Sequence, residues 1–163
     1  MSALTEDQIQ RYGRQILLRE VGGAGQRQLL ARPVEVNGWS EALEVAVTYL
    51  AAGGSPLVLG PHAGTGFLHG VTVAAVSPDT QSSAAPFISL CAPGQEASAP
   101  LKVVVGPGWL TIGEVNPPHD APGYEPVALG ALAALTVQRL VLNRDDGHPR
   151  AIRWDSGNFR VQQ

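Results

Sequence analysis

The stretch from Pro33 to Leu59 constrains the fold more than any other part of the chain. Pro33 to Val36 reads as a short strand. Ser40 is placed to cap a helix running to Ala52, with Leu43, Val47 and Leu50 recurring on its inner face. Gly53 and Gly54 end that helix, and Leu57 to Leu59 reads as a second short strand. Strand, helix and strand in that order form one βαβ unit, for which parallel pairing with a right-handed crossover is the default.

Helix signals recur at both ends of the chain. Thr5 with Gln8 three residues later fits a capping box. The helix it starts carries Ile9, Tyr12, Ile16 and Leu17 as one apolar stripe, with Arg11, Arg14 and Arg19 mostly off it. Gly22, Gly23 and Gly25 are expected to break this helix, leaving Gln26 to Leu30 as a short second turn. Near the other end, Pro126 to Leu142 reads as a long helix that is apolar around most of its surface, and is therefore expected to be buried. Ala151 to Trp154 and Phe159 to Val161 flank Asp155-Ser156-Gly157-Asn158, a hairpin signal.

Between these ends, glycine and proline concentrate from about residue 53 to 126, and the chain reads as short strands joined by turns. The candidates are Val71 to Val76, Phe87 to Cys91, Leu101 to Val105 and Trp109 to Val115. Residues 77–86 and 92–100 read as turn or loop.

Composition excludes several classes of function. The chain has 163 residues, of which 44% are hydrophobic and 15% charged, so it can bury a core and is too apolar for disorder. A net charge of −3 provides no electrostatic footprint for nucleic acid or an anionic membrane. Cys91 is the single cysteine, which rules out an intrachain disulfide and a cysteine-built zinc site. His62, His69, His119 and His148 show no metal-ligand spacing, so no metal is expected. With no apolar run long enough for a bilayer and a polar, acidic start, the chain is expected to be cytoplasmic.

Leu4-Thr5-Glu6-Asp7-Gln8, then Arg11-Tyr12-Gly13-Arg14-Gln15-Ile16-Leu17-Leu18, then Gly25-Gln26-Arg27-Gln28-Leu29-Leu30 together resemble the opening of the ThiF/MoeB family. These are the adenylating proteins related to ubiquitin-activating enzymes. Tyr49-Leu50-Ala51-Ala52-Gly53 is similar to the end of that family's first βαβ helix, and the Gly130 to Leu135 helix with its terminal hairpin is similar to the family's close. The resemblance covers roughly half the chain. It implies a reduced Rossmann-like α/β fold with N-terminal helices, a mixed sheet and a long buried C-terminal helix followed by a hairpin. It also implies one degenerate domain over 1–163. Its parts are a helical arm (1–31), a βαβ remnant (32–60), a Gly/Pro-rich zone of short strands and loops (61–123), and a helix with hairpin (124–163).

The chain departs from this family at the nucleotide loop. Aligned through Tyr49 to Ala52, the family's Gly-x-Gly-Gly-Leu-Gly falls on Gly38-Trp39-Ser40-Glu41-Ala42-Leu43, where only the first glycine remains. Such a loop works because missing side chains let backbone N–H groups approach phosphate at a helix N-terminus. Trp39 adds bulk, and Glu41 brings a carboxylate that suits the helix dipole but repels a triphosphate. Gly38, Trp39, Ser40 and Glu41 are thus a degenerate loop, an anion site expected to be filled by the Glu41 carboxylate, and no cofactor is expected. The family's ribose-binding acid falls near Gly60-Pro61, its Ser-Asn-Leu-x-Arg-Gln segment is missing, and Lys102, the only lysine, lies in a strand and is not assigned the catalytic role.

Arg11 and Arg14 are retained. In dimers of that family an arginine of this motif reaches the partner's ATP phosphates, where a planar, permanently charged fork stabilises transition-state charge. The resemblance therefore implies an inactive subunit, homodimeric or paired with an active ThiF/MoeB-like protein. Arg14, with Arg11 second to it, would act in trans while a ubiquitin-like or sulfur-carrier protein is activated. The alternative is a non-enzymatic module or scaffold that holds a ubiquitin-like protein or peptide tail. An enzyme with a site rebuilt in the glycine-rich middle finds no nucleophile–base constellation to support it. Gly60 to Gly66 lacks the lysine of a Walker A loop and reads as a turn, as does Gly106-Pro107-Gly108. Cys91 ends an apolar run and reads as a buried, inert thiol, Asp145-Asp146 as a solvated loop, and Trp39, Trp109 and Trp154 as packing or interface anchors.

Overall fold

The computed structural model describes residues 3–60, 85–118, 125–155 and 158–162. In chain order the elements are α1 (Glu6–Ile16), α2 (Gly22–Ala31), β1 (Val34–Asn37), α3 (Glu41–Ala52), β2 (Leu57–Leu59), β3 (Ile88–Cys91) and β4 (Leu101–Gly106). They continue with β5 (Trp109–Ile112), α4 (Pro126–Val141), β6 (Arg150–Asp155) and β7 (Asn158–Gln162). The strands form one mixed sheet in the order β2-β1-β3-β4-β5-β6-β7. β2, β1, β3 and β4 are parallel to one another, and β5, β6 and β7 are added antiparallel. The strands of the glycine-rich middle therefore extend the same sheet as the βαβ unit. The strand candidate at Val71 to Val76 lies outside the described residues, as do His62, His69, His119 and the turn residues Ser156 and Gly157.

Alternation along the strands sorts the two faces of the sheet. Val34 and Val36 of β1, Ile88 and Leu90 of β3, and Val103 and Val105 of β4 are fully or almost fully buried on one face. They share a core with Leu43, Val47 and Leu50 of α3 and with Leu129, Ala133 and Val137 of α4. Removing each such side chain from water stabilises the fold by about 1.5–3 kcal/mol. The opposite face is more polar. Glu35, Ser89 and Lys102 stand in one cross-strand row, and Asn37, Cys91, Val104 and Thr111 in the next.

α3 and α4 lie against each other on the apolar face because a glycine stands at their contact. A Cβ on Gly130 would collide with the Ala42 carbonyl oxygen and come within 2.6 Å of the Val45 Cβ. Ser40 caps α3, its Oγ accepting from the Leu43 N–H at 3.2 Å. The α4 C-terminus is held by Arg32, whose guanidinium donates to the Val141 carbonyl at 2.5 Å and stacks 4.4 Å from the Phe87 ring centre. That bond satisfies a carbonyl which the helix itself leaves without a partner.

The N-terminal arm differs from expectation in two respects. Thr5 and Gln8 do form the capping box of α1. Of the apolar stripe, however, only Tyr12 is buried, while Ile9 and Leu17 remain 47% and 86% exposed. The glycines at 22, 23 and 25 do not separate α1 from a short turn. They form the first turn of α2, a full helix, and the break falls at residues 17–21. Gly25 is buried against Leu142, where a Cβ would meet Leu142 Cδ2 at 2.9 Å. Close helix–helix approach has overridden glycine's low helix propensity.

Glycine in a helix interior normally costs about 1 kcal/mol relative to alanine. Gly130→Ala is expected to reverse that sign, destabilising the protein by about 1–3 kcal/mol through overpacking at α3. Urea unfolding is the measurement, and a gain in stability would show that the contact relaxes without strain.

Candidate functional site

In an open parallel sheet, ligands enter beyond the carboxyl ends of the strands, where neighbouring strands send their connections in opposite directions. Here that place lies between β1, which crosses to β2, and β3, which leads to β4 on the other side. The residues at this crevice are Asn37 at the end of β1 with Gly38 after it, Gly60 after β2, and Cys91 at the end of β3 with Ala92 after it.

The crevice is occupied by the chain itself, through the segment 92–99. The Ala92 N–H donates to the Asn37 carbonyl at 2.8 Å, and the Asn37 amide nitrogen donates to the Glu96 carbonyl at 3.1 Å. Gly38 has φ +82°, the left-handed region that glycine enters without strain, and a Cβ there would meet Ala92 Cβ at 2.7 Å and Gln95 Cγ at 2.8 Å. On the other flank Gly60 abuts the Asn37 side-chain oxygen so closely that a Cβ has no room. The glycine that remains from the loop pattern thus admits the protein's own Gln95 side chain.

Glu35 holds this segment from beneath. It lies on β1, only 7% exposed, and one carboxylate oxygen accepts from the Ser89 hydroxyl and, at 3.0 Å, from the Ser98 N–H. Ser89 Oγ in turn accepts from the Ala99 N–H at 3.0 Å. Burial pushes the Glu35 pKa upward, but the Ser89 and Ser98 hydrogen bonds outweigh it and hold the carboxyl below its ordinary value of 4.5. Sequence reasoning singled out none of Glu35, Ser89, Gln95 or Ser98. The one available signal was Val34-Glu35-Val36-Asn37, an apolar/polar alternation that puts a carboxylate on a central strand.

One reading of the degenerate loop requires correction. Glu41 does not fill the anion site: it is exposed at the first position of α3, whereas the cap is the Ser40 hydroxyl. A short hydroxyl reaches the free N–H groups of its own helix better than a longer carboxylate one residue on. Trp39 is 51% exposed, which leaves the interface half of its expected anchor role open and the core-packing half unmet. Asp145-Asp146 is also only half a solvated loop. Asp146 is open to water, but Asp145 pairs with Arg150 and accepts from the Gly147 N–H at 3.0 Å, ordering the passage from α4 to β6. Cys91 is fully buried, as expected of an inert thiol, and desolvation raises its pKa to about 11.

Arg11 and Arg14 sit far from the crevice. α1 is fastened at the other end of α3: Tyr12 packs on Gly54, and Gln26 of α2 donates to the Gly53 carbonyl at 3.0 Å. α3 has 12 residues, so on the order of 18 Å separates the arginine motif from Gly38 to Glu41. Both arginines are exposed. The Arg11 guanidinium stacks 5.5 Å from the Tyr12 ring centre, while Arg14, in the last turn of α1, makes no ion pair among the described residues. No group of three or more metal-ligating side chains is found among those residues. None of their helices is long and apolar enough to cross a membrane.

A carboxyl whose pKa is lowered by folding stabilises the protein above its unfolded value, here near 4.5, and that stability is lost as pH falls through the lower folded value. Glu35→Gln is expected to cost about 1–3 kcal/mol at neutral pH. In denaturant titrations the gap between wild type and variant should close as the pH drops below 4.5. A gap that stays constant down to acid unfolding would show that the carboxylate is not the clamp.

No protein-family model matches the chain, and no curated protein is detectably similar to it in sequence. Solved structures do match its fold. PaaA superposes on all of the chain and 75% of its own length, at a TM-score of 0.65 and 14% identity. Escherichia coli MccB, solved together with MccA, matches 94% of this chain and 71% of its own at a TM-score of 0.60 and 13% identity. MccB solved without MccA matches the same 94% at a TM-score of 0.56. At these identities the likeness is one of architecture: the chain has a mixed-sheet α/β fold like that of PaaA and MccB, and a ThiF-like fold is what the sequence resemblance had implied.

Proposed function

We propose that the chain is a non-adenylating ThiF/MoeB-like subunit that works beside an active adenylating relative and lends it Arg14. One observation carries this reading. The crevice where a nucleotide would lie is taken by residues 92–99, while Arg14 is exposed and unpaired among the described residues at the far end of α3. An arginine that cannot reach the crevice of its own chain can serve phosphate only on another one. Arg11, stacked on Tyr12, is the lesser candidate. The exposed Ile9 and Leu17 beside the motif fit a helical arm that is covered by a second subunit.

The second reading is a binding module that takes no part in adenylation. It is favoured by MccB, which shares the architecture and has been solved with MccA bound. On this reading the fold holds a ubiquitin-like protein or a peptide tail.

ATP–pyrophosphate exchange separates the two. The chain is mixed with a candidate adenylating relative, and the rate is compared for wild type and Arg14→Ala. Loss of a donor aimed at developing charge lowers the rate by about 10²–10³-fold. An unchanged rate with Arg14→Ala would remove the finger role and leave the binding module. Calorimetry of the chain alone with ATP and magnesium should show no tight binding, because Gln95 and the Glu96 carbonyl occupy the crevice.

A further inference from the structure

Away from the crevice, a cavity of about 550 Å³ opens between the α1–α2 connection and the C-terminal half of α4. Its volume lies in the range that takes up small organic ligands. Val21, Leu135 and Leu142 give it an apolar lining, and Gln138 adds a neutral donor. Three arginines also line it, Arg19, Arg139 and Arg144, with Glu20 the only acid. Such a lining is unusual on a chain whose net charge is −3.

The three arginines are not equally committed. The Arg139 guanidinium donates to the Arg144 carbonyl at 3.0 Å, which closes the end of α4. That is the ordinary use of a cation at a helix C-terminus. Arg19 and Arg144 have no ion pair among the described residues, and both are exposed on the cavity wall. Two free guanidinium forks beside an apolar lining are complementary to a molecule with an oxyanion head and an apolar body. A guanidinium fork suits the two oxygens of such a head, and Val21, Leu135 and Leu142 offer apolar surface to the body.

We infer that this cavity is a binding site for a small amphipathic anion, an apolar chain ending in a carboxylate or a phosphate ester. Its apolar wall is contributed by both helical layers, Val21 from the arm and Leu135 and Leu142 from α4 and its end. A bound chain therefore bridges the arm to the body of the protein. The site does not depend on the trans role of Arg14, and it is tested on the purified chain without any partner.

Isothermal titration of the full chain with decanoate, decyl phosphate and decanol provides the test. At least one of the two anions is expected to bind about 10-fold or more tightly than decanol, and the tighter anion identifies the head group. Arg19→Gln combined with Arg144→Gln should erase that preference. Leu135→Asp, at an exposed position on the cavity wall, should weaken both anions about 10-fold or more without unfolding the chain. Equal binding of decanol, or anion binding unchanged in the double arginine variant, would overturn the site.

Discussion

The carboxyl ends of parallel strands present backbone groups and a gap that something must cover, and this constraint organises the rest of the molecule. β1 and β3 lie side by side, but their connections leave in opposite directions. In a nucleotide-binding member of this architecture the gap admits a ligand. Here a stretch of backbone at 92–99 enters instead, and every flank is adapted to it. Gly38 makes room for Gln95, Asn37 bonds the Glu96 carbonyl, and Glu35 collects the Ser89 hydroxyl and the Ser98 N–H. A buried carboxylate is tolerable because it is hydrogen-bonded; left alone at that depth it would cost several kcal/mol.

The filled end and the arginine end lie at opposite tips of α3. Its N-terminus carries Ser40 as a cap and no open phosphate cradle. Its C-terminus ends in Gly53 and Gly54; the missing side chain of Gly54 admits Tyr12 and Gln26, and the Gly53 carbonyl accepts from Gln26, which seats the N-terminal arm. The arm is thereby oriented outward with Arg14 free and its apolar stripe largely uncovered.

Much of the fold was readable from local signals. The capping box at Thr5 and Gln8, the Ser40 cap, the Gly53-Gly54 stop and the Pro126 start each act within one turn of helix, so the elements they bound fall where expected. The candidate site was readable only in the negative: Ser40, Glu41 and Leu43 in place of glycines told against a phosphate loop without revealing what replaces the ligand. Glu35 meets Ser98, and Asn37 meets Glu96, across about sixty residues of chain, a separation that no periodicity reports. The glycines at the start of α2 misled for a related reason. Propensity marks them as breakers, whereas the proximity of Leu142 to Gly25 makes small residues the ones that fit.

The amino-acid sequence by itself determined the capped helices, the parallel βαβ unit and the absence of a glycine-rich phosphate loop at residues 38–43, because each rests on neighbours a few residues apart. Only the tertiary structure decided that the middle strands join the same sheet, that segment 92–99 fills the crevice, that the Glu41 carboxylate stays exposed, and that the arginines stand about a helix length from residues 38–41. Those outcomes depend on which distant backbones approach closely enough to exclude a side chain or a ligand. Packing decides that, and residue order alone does not encode it in any local pattern.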